Sequence, residues 1–273
     1  MVVPDIENPH FSEVVRVVED AAYKAGYRMI LCNTDETPEK QRTYLEMLAD
    51  ERVIAAIISP ADAMCTGVDA LFAVGTPVVA FDREIEDPRV DSVVADNVEG
   101  VRRAAEHLLW LGHQRIAFVG GRLDVETGAE RLEGYTAAMR SAGLIPFVVN
   151  GGFRVDAAHQ AVQDLLAARP RPTALIVANN LMSLGALRAI RGANLRVPED
   201  LAIVAVDDPV WAELVDPPLT TLAQPVRAMA DMAMALALER VTGGRTETRR
   251  IVLPMELRLR DSSGMLRPAT TGG

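Results

Sequence analysis

Short apolar runs alternate with longer amphipathic stretches along the chain. The apolar runs are continuous and rich in valine and isoleucine, which is typical of parallel strands covered on both faces. Strands are predicted at residues 2–3, 28–32, 54–59, 77–81, 92–95, 115–119, 147–149, 174–178, 201–206 and 220–222. Helices are predicted at residues 11–25, 39–51, 98–111, 127–142, 157–168, 180–191 and 226–242. Because strands alternate with helices, the pattern predicts an α/β fold with doubly wound parallel sheets.

Glycines mark the ends of several predicted helices. Gly26, Gly112 and Gly143 each follow the last residue of a helical pattern, where a left-handed residue commonly ends a helix. Gly120 and Gly121 follow a predicted strand instead, and we interpret this pair as a tight turn between strand and helix.

The α/β pattern occurs as two successive series, with a change near Asp96 and Asn97. No linker rich in Gly, Ser or Pro separates them, so we expect two lobes joined by several short crossings. The predicted N-terminal lobe is residues 1–95 plus about 225–252. The predicted C-terminal lobe is residues 96–224 plus about 253–264, and residues 265–273 are predicted to be a frayed tail.

Composition narrows the class of protein. The 273 residues are 49% hydrophobic and 24% charged, so a core can form without disulfides. The net charge of −10 provides no basic field for nucleic acid, which argues against DNA binding by this surface as a whole. The start of the chain does not resemble a signal peptide, and no window is long and apolar enough to span a membrane. We therefore expect a cytoplasmic protein with no membrane partner.

Sequence signatures of catalysis and of metal binding are absent. There is no nucleophile elbow, phosphate-binding loop or dinucleotide fingerprint, so we expect neither an enzyme nor a cofactor. The four histidines include no H-x-x-x-H pair, and no metal site is expected; His107 and His113 are expected to cap a helix or form hydrogen bonds. Cys32 and Cys65 favour two buried thiols, with a single disulfide left open.

A series of short motifs runs in order across about residues 1–260. They are Val3-Pro4-Asp5, Asn8-Pro9-His10-Phe11, Cys32-Asn33-Thr34-Asp35, Phe81-Asp82-Arg83, Leu111-Gly112-His113-Gln114-Arg115-Ile116-Ala117-Phe118, Glu130-Arg131-Leu132-Glu133-Gly134-Tyr135, Ala178-Asn179-Asn180-Leu181-Met182, Val206-Asp207-Asp208 and Pro217-Pro218-Leu219-Thr220-Thr221. Each motif is weak alone, whereas the ordered set is specific. The chain resembles the effector-binding domain of the lactose/galactose-repressor family of transcriptional regulators.

The resemblance implies a type I periplasmic-binding-protein-like fold, with a ligand cleft between two lobes, and a homodimer. Family members carry a helix-turn-helix headpiece and a hinge helix ahead of the first strand. This sequence opens inside that strand. Operator DNA is therefore expected to bind only through a headpiece that lies outside this chain.

The resemblance also assigns ligand-binding residues. Arg131 matches the family's cleft arginine, which can fork hydrogen bonds to hydroxyls or carboxylates. Asp207 matches an acceptor for sugar hydroxyls, Asn179 an amide that both donates and accepts, and Phe153 an aromatic that stacks on the ligand. Further matches are Asp82, Thr127, Gln224 and Phe11, together with His10, which stands where the family often has an aromatic residue.

Some of these residues also have interpretations that require no ligand. Arg131 and Asp207 are alternatively an ion pair with no ligand between them, and Phe11 is alternatively a hydrophobic staple for its helix. Asp208 is expected to cap the short helix that follows it. The dimer face is expected on the N-terminal lobe, with Tyr44, Leu45 and Leu48, although Leu48 is equally compatible with the core.

The positions of the polar residues favour a sugar. Ligands of open α/β sheets lie beyond the carboxyl ends of the strands, and Asp5, Asp82, Asn179 and Asp207 all occupy predicted strand ends. Acceptors, one fixed cation and an aromatic platform suit a small neutral polyol, and the low aromatic content of 4% offers few stacking walls for a purine. The alternatives are an exported sugar-binding protein of a transporter, a purine-type corepressor sensor and a sugar-converting enzyme.

Overall fold

The computed structural model describes residues 1–243 and 247–264. The predicted tail at residues 265–273 lies outside the described residues. The chain forms two compact units. The first comprises Met1–Asp96, Asp124–Thr127 and Pro225–Pro254, and the second comprises Asn97–Leu123, Gly128–Gln224 and the described residues 255–264. Within the described ranges, no helix combines the length and the apolar character needed to cross a membrane.

The strands and helices follow the predicted alternation. The strands are β1 (Val2–Val3), β2 (Cys32–Asn33), β3 (Ala56–Ile58), β4 (Val78–Phe81), β5 (Asp91–Ala95), β6 (Ile116–Gly120), β7 (Phe147–Asn150), β8 (Ala174–Val177), β9 (Ala202–Val206), β10 (Thr220–Ala223), β11 (Arg250–Leu253) and β12 (Glu256–Arg258). The helices are α1 (Pro9–Lys24), α2 (Pro38–Asp50), α3 (Asp69–Ala73), α4 (Asn97–Trp110), α5 (Glu126–Ser141), α6 (Val155–Ala167), α7 (Asn180–Gly192) and α8 (Val226–Val241).

Each unit contains one sheet, and the two sheets share a topology. The first sheet has the order β11-β5-β4-β3-β1-β2 and the second β12-β10-β9-β8-β6-β7. Numbered within its own unit, each sheet therefore reads 6-5-4-3-1-2, with a reversal of winding between its first and third strands. All of the pairings are parallel except that of β10 with β12. The predicted architecture of two doubly wound parallel sheets is confirmed, with one antiparallel edge strand.

The strand predicted at residues 28–32 is wrong over most of its length. Only Cys32 and Asn33 pair with a neighbour, because β1 offers just Val2 and Val3 as partners. Ile30 and Leu31 are partly exposed, at 42% each. The continuous apolar pattern of residues 28–32 suggested a strand covered on both faces. These residues lie at the edge of the sheet, where such cover is incomplete.

Two of the residues expected at the dimer face, Leu45 and Leu48, are core residues instead. Leu45 and Leu48 are buried in the core of the first unit, and Tyr44 packs partly against the same cluster. Gln41, Leu45 and Leu48 recur at helical spacing, so they share the face that α2 turns toward its sheet. The alternative that Leu48 is a core residue is confirmed.

The two cysteines belong to the same core. Cys32 and Cys65 are free and buried, as the sequence favoured, and burial raises the pKa of both thiols. The helix-end glycines also behave as predicted, since Gly26, Gly112 and Gly143 have φ of 86°, 95° and 72°.

Two histidines, the half-buried His107 and the buried His113, attach the end of the described chain to the second unit. His107 Nε2 lies 3.0 Å from Ser263 Oγ. His113 Nδ1 lies 3.0 Å from Thr173 Oγ1, and its Nε2 lies 3.3 Å from the carbonyl oxygen of Gly264. The prediction that these histidines form hydrogen bonds is confirmed. Burial lowers the pKa of both rings, and the charge of His113 lowers that of His107 further.

These lowered pKa values predict a loss of stability in mild acid. As the pH falls below about 6.5, the unfolded histidines take up protons before the folded ones do. The contribution of these two histidines to the free energy of unfolding is therefore expected to be fully present above that pH and to be lost as the pH falls below it. Urea midpoints at pH 7.5, 6.5 and 5.5 measure this effect. A variant carrying His107→Gln and His113→Gln should lose less stability over this range, and an unchanged decline in that variant would contradict the assignment.

Candidate ligand-binding site

All of the residues assigned to ligand binding are buried in the structure. The polar ones are His10, Asp82, Thr127, Arg131, Asn179, Asp207 and Gln224, and the aromatic ones are Phe11 and Phe153. Buried polar side chains require specific partners, so the contacts of each define what it has left to offer a ligand. The two units are described in turn.

In the first unit, the structure brings His10, Phe11 and Asp82 together. Asp82 directly follows β4 with φ of 65°, and its N–H donates to the carbonyl of Val93 on the neighbouring strand at 3.0 Å. His10 lies in the first turn of α1, and its Nε2 is 3.4 Å from Asp82 Oδ1. The ring of Phe11 meets that of His10 edge-on, with centroids 4.9 Å apart. Thr127 lies in the first turn of α5, in the segment that groups with this unit.

In the second unit, Asp207 occupies the position that Asp82 holds in the first. It directly follows β9, the fourth strand of its sheet, with φ of 73°, and its N–H donates to the carbonyl of Leu222 at 2.9 Å. A left-handed backbone costs a non-glycine residue about 1–3 kcal/mol, and such residues concentrate at ligand sites. Both units therefore impose the same unfavourable conformation on a carboxylate at the carboxyl edge of the sheet.

The carboxylate of Asp207 is held from both sides. Gln224 Nε2 donates to Oδ1 at 2.8 Å, and the backbone N–H of Asn180 donates to Oδ2 at 3.2 Å. The other amide atom of Gln224, Oε1, is buried and makes no hydrogen bond to any described residue. An unsatisfied buried acceptor is unfavourable, and here it lies beside a fixed carboxylate, where a ligand hydroxyl would satisfy it.

Arg131 provides a cation in the second unit. Its Nε donates to Asn97 Oδ1 at 2.7 Å, and its Nη1 donates to the carbonyl of Ala178 at 2.7 Å. Asn97 is oriented by Glu130, whose Oε2 accepts from Asn97 Nδ2 at 2.9 Å. Arg131 and Asp207 form no ion pair with each other, so that alternative is wrong. Within the described chain, Nη2 of Arg131 has no acceptor and remains available to a ligand.

Asn179 lies just after β8 and caps the next helix. Its Oδ1 accepts from the N–H of Met182 at 2.8 Å at the start of α7. The cap thus uses the amide oxygen and leaves the Nδ2 hydrogens as donors. Asn179 was assigned as both donor and acceptor, and the structure favours the donor role.

Phe153 depends on a glycine for its position. It has φ of 60°, and a Cβ placed on Gly121 would lie 2.0 Å from Phe153 Cε1. The glycine pair after β6 is therefore more than a turn, because Gly121 makes room for the ring. Gly121 and Asn179 lie at the ends of the strands β6 and β8, where the winding reverses, which is where open α/β sheets bind ligands.

Known proteins with similar sequences identify the family of this chain. Residues 105–263 match the family model of a periplasmic binding protein-like domain. The chain is 34% identical over 271 residues to the HTH-type transcriptional repressor PurR of Photobacterium profundum, covering 96% of this chain and 80% of that repressor. The chain belongs to the LacI family of transcriptional regulators. It corresponds to the family's effector-binding domain, as the motifs suggested.

Solved structures of transcriptional regulators align with almost the entire chain. A LacI-family regulator from Enterococcus faecium with bound ribose has a TM-score of 0.89 and 30% identity, covering 97% of this chain and 98% of that one. The complex of the transcriptional regulator CelR with cellobiose has a TM-score of 0.88 and 32% identity, covering 96% of this chain and 83% of that one.

One prediction about this LacI-family domain is wrong. Asp208 does not cap the short 3-10 helix Val210–Glu213, whose N-cap is Pro209. Its carboxylate instead accepts from Thr221, Arg258 and Arg260. Burial acts to raise the pKa of Asp208, but these hydrogen bonds outweigh it and hold the pKa below its usual value. Asp208 thus attaches β12 to the sheet, and no group of acidic, histidine or cysteine side chains in the described residues is arranged to hold a metal.

Sequence reasoning missed two charged residues of the first unit. Arg83 belongs to the motif Phe81-Asp82-Arg83, but no function was predicted for it, and none was predicted for Glu36. They form a buried ion pair with a 2.7 Å contact. The only local signal was a charged residue directly after Asp82, since the partner is distant in sequence.

Proposed function

We propose that this LacI-family domain binds a sugar or sugar-like small molecule that contacts the buried polar residues of both units. The observation that carries the proposal is the matched pair of carboxylates, Asp82 and Asp207, each fixed at the end of the fourth strand of its unit. Carboxylate acceptors of this kind suit a ligand that carries several hydroxyl donors. The unsatisfied Oε1 of Gln224 and the available Nη2 of Arg131 supply one more acceptor and one donor.

The proposed ligand controls operator binding by the headpiece of the parent repressor. A ligand that contacts both units favours the arrangement in which all of its contacts form, and this differential affinity shifts the population of the two arrangements. A tenfold change in operator affinity requires about 1.4 kcal/mol of coupling, which is within the usual range for allostery. The domain acts as a sensor in this proposal and not as an enzyme, consistent with relatives that are transcriptional regulators.

A purine-type corepressor is the second candidate. It is favoured by the identity to repressors named PurR, whereas ribose and cellobiose are bound in the structural neighbours. The described polar residues favour a polyol, because carboxylates accept from hydroxyls on tetrahedral carbons without requiring a stacked pair of aromatic walls.

A thermal-shift screen tests the proposed ligand class. At a hundred times its dissociation constant, a ligand stabilises a protein by about 2.7 kcal/mol, which for a chain of this size raises the Tm by about 5–10 °C. We expect a sugar such as D-ribose or cellobiose to produce this shift. A shift with nucleobases alone would contradict the sugar proposal and support the purine-type sensor.

We also propose a homodimer, with a contact face on the second unit. Val210 and Leu214, at the 3-10 helix after β9, are 86% and 79% exposed. Large apolar side chains exposed together mark interaction surfaces. Sedimentation velocity at micromolar concentration should find a dimer that Leu214→Asp dissociates, and a monomer at all concentrations would contradict this proposal.

A further inference from the structure

A largely buried ion pair lies next to Asp82 in the first unit. Arg83 Nη1 donates to Glu36 Oε2 and Arg83 Nη2 donates to Glu36 Oε1, both at 2.7 Å. The side chains are only 6% and 13% exposed. Two parallel charge-assisted hydrogen bonds are the most specific geometry available to an arginine, so both residues are fixed in orientation.

The same two residues connect the loops at the carboxyl ends of four strands. Glu36 lies in the loop after β2, and its N–H donates to the carbonyl of Pro4, after β1, at 3.1 Å. Arg83 lies in the loop after β4, and its Nη1 also donates to the carbonyl of Pro60, after β3, at 2.9 Å. The Glu36–Arg83 pair therefore ties together the edge of the sheet on which Asp82 lies.

The loop that carries Glu36 has an unfavourable backbone. Asp35 and Glu36 have φ of 51° and 58°, so two successive non-glycine residues are left-handed. Asp35 accepts from Asn33 Nδ2 at 2.6 Å and contacts Lys40 Nζ at 2.5 Å. Such conformations persist only where the surroundings impose them, and they are frequent at binding sites. This one presents Glu36 to the Arg83 guanidinium.

Arg83 also borders the proposed acceptor. Its Nε lies 3.9 Å from Asp82 Oδ2, while His10 Nε2 lies 3.4 Å from Oδ1 on the other side. We propose that Glu36 and Arg83 are positioning residues, which hold the Asp82 carboxylate toward the ligand. By binding the guanidinium fork of Arg83, Glu36 keeps that fork from binding the Asp82 carboxylate. This inference rests on the proposed function, because it assigns Asp82 as a ligand acceptor.

The variant Glu36→Gln tests the pair with the side-chain shape retained. Without the Glu36 charge, the guanidinium fork of Arg83 is expected to turn to Asp82 and to occupy the acceptor. We expect the affinity for D-ribose, measured by isothermal titration calorimetry, to fall about tenfold or more. Asp69→Asn is the matched control, since it removes an exposed carboxylate that pairs with Arg89 in the same unit. Equal affinities of Glu36→Gln and wild type would overturn the positioning role.

A charge reversal separates positioning from simple stabilisation. The double variant with Glu36→Arg and Arg83→Glu can restore an ion pair between the loops, but it places a carboxylate beside Asp82. Positioning predicts that the Tm recovers relative to Glu36→Gln while the affinity for D-ribose does not. Recovery of both would show that the pair only holds the loops together, and would overturn the proposal.

Amide hydrogen exchange without ligand provides a readout independent of the sugar. In Glu36→Gln, peptides covering residues 34–37, 59–62 and 82–86 should exchange faster than in wild type, and peptides covering residues 174–180 should not change. If wild type binds no sugar in the screen, the proposed function fails, while faster exchange still establishes the connection of the loops. Unchanged exchange in all of these peptides would overturn that connection whatever the ligand is.

Discussion

Arg131→Met is expected to weaken sugar binding by about 30-fold to 4,000-fold. Removing one partner of a buried, charge-assisted contact costs about 2–5 kcal/mol, and each 1.4 kcal/mol is a factor of ten in affinity. In the structure, Nε and Nη1 of Arg131 are committed to Asn97 and Ala178, so the guanidinium is fixed while Nη2 remains available. Calorimetric titration with D-ribose, or with whichever sugar raises the Tm most, measures the loss.

The same change lowers stability, and the two effects have to be separated. Asn97 Oδ1 and the carbonyl of Ala178 each lose a donor, at about 1–3 kcal/mol for each unsatisfied group. Titrations well below the melting temperature of the variant keep the fraction of folded protein constant. The control is Arg188→Met, which removes an exposed arginine that pairs with Asp156 and should bind like wild type. Unchanged affinity in Arg131→Met would place the ligand elsewhere.

Local patterns in the sequence accounted for most helices and inner strands. Helix starts and ends depend on nearby residues, as with the cap of α1 by Asn8 and the glycine after α4. The strands β11 and β12 were not predicted, because half-exposed edge strands carry a weak apolar signal. Their residues alternate between exposed and partly exposed positions, and their partners β5 and β10 are distant in the chain.

The candidate site was predictable in position and not in detail. Strand ends located Asp82 and Asp207, because parallel strands present their carboxyl ends at one edge. Nothing local indicated that both would be left-handed. The contact of Arg83 with Glu36 spans 47 positions in the sequence, and the orientation of Asp208 depends on arginines of the unpredicted strand β12. Long-range contacts of this kind decide which polar atoms remain for a ligand.

Gly121→Ala is expected to disrupt the aromatic wall formed by Phe153. The added Cβ would lie 2.0 Å from Phe153 Cε1 and 2.2 Å from Cζ, closer than any packed pair of carbon atoms, so the ring has to move. Overpacking of this kind costs about 1–3 kcal/mol of stability. We also expect D-ribose affinity to fall by about twofold to tenfold, since stacking aromatic contacts are worth about 0.5–1.5 kcal/mol beyond the area they bury. Urea unfolding and calorimetry measure the two losses.

Gly152→Ala shows the cost of a left-handed alanine in the absence of any clash. Gly152 has φ of 59° and no neighbour within 4 Å of an added Cβ, so Gly152→Ala should cost about 1 kcal/mol through strain alone. Combining Gly121→Ala with Phe153→Ala tests the contact directly, because the clash disappears when the ring is removed. We therefore expect the double variant to be more stable than the sum of the single losses predicts. If the losses are additive, or if Gly121→Ala binds D-ribose like wild type, Phe153 is a packing residue of the second unit and not part of the ligand site.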